Sequence, residues 1–137
     1  MDTSVFFSYP TPAAERPLPV RAATEDWDAL LGATETLRFQ PGDVVLRAGD
    51  RDRALYLLVD GHVKVDGLAT VMSAPAVVGV VAFLDGLPQP ETLRAMSHGE
   101  LARLSWDAFE ALSARDARLG RTLLLELARD LAARLRA

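Results

Sequence analysis

The sequence predicts a mainly β fold with flanking helices. The expected form is an antiparallel β-roll of the jelly-roll, or double-stranded β-helix, kind, with one helix before it and two after. Three observations predict it. From Glu35 to Leu104 short apolar runs alternate with turn residues at regular spacing, the pattern of a barrel or sandwich. Asp60-Gly61 and Asp66-Gly67 interrupt that stretch as tight hairpin signals. On either side the apolar residues recur at helical spacing instead.

Each element has its own warrant. Residues 1–22 hold Pro10, Pro12, Pro17 and Pro19 with few periodic apolar positions, so they read as an extended arm before a domain over residues 23–137. Phe6, Phe7 and Tyr9 are the side chains that would pin this arm to a surface. Thr24 is placed to cap a helix, and Glu25 and Asp26 suit its positive end. Trp27, Leu30 and Leu31 share one face of it, and Gly32 ends it. Strands are expected around Leu37–Phe39, Val44–Leu46, Ala54–Val59, His62–Val65, Leu68–Met72, Val77–Val78, Thr92–Ala95 and Leu101–Leu104. Gly42, Gly49, Gly61 and Gly67 fall where turns need a positive φ or a tight backbone. Ser105 caps a helix running to about Leu112, and a last helix starts at Asp116 with Leu119, Leu123, Leu127 and Leu131 on its apolar face. Trp27 and Trp106 are expected at the junction of helices and roll.

Composition removes several function classes. The chain has 137 residues, enough for one ordinary domain, and a formal charge of −4, which counts against a general nucleic-acid binder. There is no cysteine, so zinc–thiolate sites, iron–sulfur clusters and thiol catalysis are excluded. His62 and His98 are the only histidines and are far apart, so no metal site is expected. His62 should face away from the side of Val63 and Val65, and His98 belongs to a turn with Gly99. The longest apolar stretch, Ala74 to Leu84, contains Pro75 and Gly79 and is too short to span a bilayer. The N-terminus lacks the basic flank and apolar core of a signal peptide. The expectation is a cytoplasmic protein with no membrane partner and no enzymatic activity.

The motifs are more specific than the element order. Phe39-x-Pro-Gly-Asp, then Arg47-Ala48-Gly49-Asp50, then Leu55-Tyr56-Leu57-Leu58-Val59-Asp60-Gly61 resembles the opening of the cyclic-nucleotide-binding domain. That family includes the sensor half of the catabolite activator protein, the regulatory subunits of protein kinase A and gated ion channels. Val78-Gly79-Val80-Val81-Ala82-Phe83-Leu84-Asp85-Gly86, followed by Thr92-Leu93-Arg94-Ala95, is similar to its phosphate-binding cassette. The resemblance covers about residues 24–136.

The resemblance implies a binding site with a Glu after the cassette glycine for the ribose hydroxyl. It also implies an Arg about ten residues later for the cyclic phosphate, then a small pair that donates hydrogen bonds. An Arg fits because its planar fork of donors is always charged. Here the glycine is Gly79, the Glu position holds Val80, the Arg position holds Gln89, and the small pair is Pro90-Glu91. Pro90 has no N–H to give, and Glu91 sets a negative charge beside a negative ligand. Thr92 and Arg94 match family positions, and the sequence leaves open whether Arg94 reaches the pocket or a loop. Two lost contacts to charged groups, at roughly 1.5–3 kcal/mol each, cost about 3–6 kcal/mol, or on the order of 10²–10⁴ in affinity. The resemblance therefore implies the fold while disfavouring cyclic AMP or cyclic GMP, and no cofactor is expected.

This leads to a stand-alone regulatory or interaction module with a degenerate cassette and an unidentified protein partner. The alternative is a working sensor for a cyclic nucleotide or another small molecule; an enzyme on a similar barrel ranks far behind both. Where the cavity is filled, Phe83, Leu84 and the end of the last helix are the expected fillers. Arg118, Arg121, Arg129, Arg134 and Arg136, interleaved with Asp116, Glu126 and Asp130, read as a solvated helix face. After the last helix no residues remain for a helix-turn-helix, so no direct DNA binding is expected. Leu124, Leu127, Leu131 and Leu135 follow the spacing of a two-helix seam, and a homodimer through that helix is expected.

Overall fold

The computed structural model describes residues 24–136. The expected arm over residues 1–22 and the side chains of Thr24, Glu25 and Trp27 lie outside the described residues. The chain opens with α1 (Thr24–Gly32), β1 (Glu35–Phe39), β2 (Val44–Leu46), β3 (Ala54–Asp60) and β4 (His62–Val65). It continues through β5 (Val71–Ser73), β6 (Ala76–Val78), α2 (Val80–Asp85), β7 (Leu93–Ala95) and β8 (Gly99–Ser105). It closes with α3 (Trp106–Arg115) and α4 (Ala117–Arg136). The strands form two four-stranded antiparallel sheets, in the orders β1-β8-β3-β6 and β2-β7-β4-β5. This is the mainly β roll that the turn spacing predicts.

Strand alternation splits the core in two. Ala54, Tyr56 and Leu58 of β3 point between the sheets with Phe39, Leu46 and Val63. Leu55 and Leu57, from the same strand, point the other way and meet Phe83, Leu104, Phe109 and Leu127 beneath the helices. β3 is therefore apolar on both faces, which is why its sequence runs Leu-Tyr-Leu-Leu without a polar break. Each such side chain, fully buried, contributes roughly 1.5–3 kcal/mol.

The helices are held by identifiable devices. Ser105 Oγ accepts from the Ala108 N–H at 3.0 Å and starts α3. Asp116 Oδ1 accepts from the Leu119 N–H at 3.1 Å at the head of α4. α3 and α4 approach closely at Gly120, where an added Cβ would lie 2.2 Å from Ser113 Oγ. Trp106 does pack at the helix–roll junction, edge-on to Phe83 with ring centres 5.1 Å apart. Arg53 lies 3.6 Å over the Trp106 ring and donates to the Phe83 and Leu84 carbonyls at 2.9 and 3.1 Å, tying α2 to α3.

Several sequence expectations change. The strand expected over Leu68–Met72 is only Val71–Ser73. Pairing of His62 with Ser73 and Lys64 with Val71 leaves residues 66–70 as the hairpin connection, with Gly67 at φ +86°. Gly99 is not in a turn but begins β8, opposite Phe39. His62 is exposed while Val63 is buried, as alternation requires.

The larger correction concerns α4. Its interleaved charges do not make one solvated face: Glu126 is 4 % exposed and Asp130 is 0 % exposed. Glu126 falls three residues after Leu123 and Asp130 three after Leu127, so helical phase turns them inward with the leucines. Arg118 reaches back to the buried Asp26 of α1, with one contact at 3.2 Å, and Arg129 pairs with Glu126 at 3.2 Å. The leucines of the expected two-helix seam are unequally buried. Leu127 is fully buried inside its own chain, Leu124 and Leu131 pack against the same core, and Leu135 alone of the four is 88 % exposed.

Candidate ligand-binding site

A cavity of about 360 Å³ opens between the second sheet, α2 and the end of α4. That volume is within the range of small-molecule sites. Leu46 from β2, Val65 from β4, Met72 from β5, Val78 from β6 and Leu93 from β7 supply its apolar walls. Leu68, Thr70 and Val81 join them, with Leu68 and Val81 largely exposed. Phe83 and Leu84, the expected fillers, instead pack in the helix-side core, and of α4 only Arg134 reaches the cavity.

Gly79 joins β6 to α2 at φ +80°. A Cβ there would lie 3.1 Å from the Tyr56 ring and 3.2 Å from the Ala54 carbonyl oxygen, so the position needs a glycine on both counts. The turn Arg47–Asp50 braces the other wall. The Gly49 N–H donates to the Gln89 carbonyl and the Gln89 N–H donates to the Asp50 carbonyl, both at 2.8 Å. The Ala48 N–H donates to Thr92 Oγ1 at 3.0 Å. The two motif segments that are distant in sequence thus form one wall.

The structure brings Gly79, Val80, Gln89, Pro90 and Glu91 together around the cavity. Thr92 is not among the lining residues, because its hydroxyl is engaged by the Ala48 turn. Arg94 is turned away from the cavity. Its neighbours Leu93 and Ala95 point inward, so alternation sends it outward. There its guanidinium donates to both Asp66 carboxylate oxygens, at 3.2 and 3.1 Å, and to the Gly42 carbonyl at 3.1 Å. Those hydrogen bonds hold the Asp66 carboxyl below the usual carboxylate range. Val80 is 3 % exposed and also belongs to the helix-side core.

Gln89 and Arg134 are two of the polar side chains that line the cavity. Gln89 is 4 % exposed, and its Nε2 has no hydrogen-bond acceptor among the described residues. It lies 3.5 Å from where a Gly79 Cβ would stand. Arg134 brings the one guanidinium of the lining, with its Nε 3.9 Å from Asp130 Oδ2. Sequence reading did not assign Arg134 to the site. Its phase, seven residues after Leu127 and four after Asp130, was the available signal. No three His, Asp or Glu residues cluster to hold a metal among the described residues, and none of their helices is long and apolar enough to cross a membrane.

Comparison with known proteins agrees with this geometry. A cAMP-dependent protein kinase regulatory subunit of Hypocrea atroviridis is 34 % identical over 83 residues, 58 % of this chain. The chain spans only 18 % of that relative's length. A cyclic nucleotide-binding domain from Methylobacillus flagellatus KT superposes with a TM-score of 0.72 at 25 % identity, covering 84 % of this chain and 69 % of that one. The Thermus thermophilus catabolite activator protein shares the fold, with a TM-score of 0.69 at 24 % identity over 82 % of this chain and 56 % of that one. Residues 36–116 match the cyclic nucleotide-binding domain family across its strands, cassette and first following helix, and the chain belongs to that family.

Proposed function

We propose that this domain is a regulatory, ligand-binding module that does not recognise cyclic AMP or cyclic GMP in the family's usual way. One observation carries the reading: the cassette cavity is open, yet its wall offers Val80, Gln89, Pro90 and Glu91 where a cyclic phosphate and ribose would need an acid, a cation and N–H donors. Arg94 does not compensate, since it is spent on Asp66 and Gly42 outside the cavity. Arg134 is already beside Asp130, so its charge is largely matched. A closed, side-chain-filled cassette would instead have favoured a pure interaction module, and the open volume favours a ligand. Membership of a family whose relatives include a kinase regulatory subunit and a catabolite activator supports a regulatory role over a catalytic one.

Calorimetric titration of the full chain with cyclic AMP and cyclic GMP tests this. The expected result is dissociation constants no tighter than roughly 0.1 mM, the weakening that two lost charge-assisted contacts produce in a micromolar site. Low-micromolar binding of either nucleotide would overturn the proposal.

A further inference from the structure

The cavity's own chemistry points to the class of molecule it takes, an inference that rests on the ligand-binding reading above. We infer that the ligand is an uncharged, mainly apolar molecule whose carbonyl oxygen accepts a hydrogen bond from Gln89 Nε2. Three observations on the wall support this class. Leu46, Val65, Met72, Val78 and Leu93 surround the volume with hydrocarbon, so the body of the ligand is apolar. Gln89 is more than nine-tenths buried with an Nε2 that lacks an acceptor among the described residues, and a buried donor without a partner is costly to leave so. A ligand carbonyl at that place would satisfy it. Finally, the charge balance is wrong for an anion. The guanidinium of Arg134 faces Asp130 at 3.9 Å, and Glu91 adds a second negative charge at the rim. Desolvating a carboxylate or phosphate against this wall is penalised without compensation, whereas a neutral carbonyl loses little.

The neighbouring residues fit the same assignment. The backbone of Gln89 is fixed on both sides by Gly49 and Asp50, so its side chain is presented from a rigid base. A Cβ on Gly79 would stand 3.5 Å from the amide nitrogen, so the two groups are neighbours in the wall. The amide is therefore presented from a fixed main chain.

The test uses a matched pair of probes, 4-phenylbutyramide and 4-phenylbutyrate, which share a shape and differ in charge. The full chain is titrated with each, and the side-chain NH₂ signals of Gln89 are followed by nitrogen–proton NMR. The amide is expected to shift those signals and to bind at least tenfold more tightly than the carboxylate. Gln89→Met is expected to weaken the amide by roughly three- to tenfold, the worth of one neutral hydrogen bond. The same substitution should leave the ligand-free protein as stable as the parent or more so, because it removes an unpartnered buried donor. A structural role for Gln89 would instead show as a lower melting temperature. Tighter binding of the carboxylate, with cavity signals shifting, would overturn the neutral-carbonyl class while leaving the cavity a ligand site. No shift at Gln89 with either probe would overturn the assignment of that residue. Low-micromolar cyclic AMP binding would overturn the underlying reading instead.

Discussion

Asp52 lies just ahead of β3 and accepts hydrogen bonds from three directions. Tyr56 Oη donates to it at 2.6 Å, Arg103 Nε donates at 3.0 Å, and a second nitrogen of Arg103 closes the fork. Arg103 also reaches Glu35 at 3.3 Å, so one cluster joins β1, β3 and β8. The Arg103 hydrogen bond is the main reason the Asp52 carboxyl stays below its ordinary 3.8; burial opposes it and Tyr56 helps. Burial, then the Asp52 hydrogen bond, pushes the Tyr56 phenol up from 10.0 to about 12. The signs of the two contributions are opposite. A depressed carboxyl stabilises the fold above the unfolded value and loses that contribution as pH falls below about 4. A raised phenol stabilises it below pH 10 and loses that contribution as pH climbs towards 12. Urea midpoints measured across pH should therefore fall more steeply on the acid side in the parent than in Asp52→Asn. On the alkaline side they should fall more steeply than in Tyr56→Phe. Parallel curves for parent and variants would show that the cluster does not titrate with folding. The Asp52 side chain is 39 % exposed, so solvent screening keeps the acid effect modest.

At the scale of elements, the contact between α3 and α4 depends on one absent side chain. A Cβ on Gly120 would stand 2.2 Å from Ser113 Oγ and 2.7 Å from Ser113 Cβ, and the Cβ cannot swing aside. Gly120→Ala gains about 1 kcal/mol of helix propensity. It forces the helices apart at a cost of roughly 1–3 kcal/mol or more, so overpacking wins. The variant should lose on the order of 1–2 kcal/mol by urea denaturation, and adding Ser113→Gly should recover part of it. A gain in stability would refute the close contact. Elements were largely legible in the sequence because their signals are local. The Ser105 cap, the positive-φ turns at Gly42, Gly49, Gly61 and Gly67, and the helix ending at Gly32 depend on neighbours within a few residues. Gly120 carried no such signal, since its reason is Ser113 on another helix. The burial of Glu126 and Asp130 was hidden for a related cause. Composition counts charges, while only helical phase against Leu123 and Leu127 shows which way they face.

Across the whole molecule, the roll builds the family's cavity and then lines it with different chemistry. Part of the candidate site was legible: Gly79, Val80, Gln89, Pro90 and Glu91 follow the cassette motif and do meet around one volume. The rest depended on three-dimensional partners. Arg94 is drawn outward by Asp66, 28 residues away, and Arg134 arrives from the last turns of α4. On the proposed function, phosphate pairing, and not the scaffold, separates this cavity from a cyclic nucleotide site. Gln89 is the position to change, because Val80 is shared with the helix-side core and a carboxylate there would be buried among Leu55, Phe83 and Leu104. The direct measurement is the cyclic AMP affinity of Gln89→Arg combined with Glu91→Ala, compared by calorimetry with the parent chain. One restored charge-assisted contact is worth roughly 1.5–3 kcal/mol, so a gain of at least tenfold is expected. A folded double variant that binds cyclic AMP no better than the parent would contradict it.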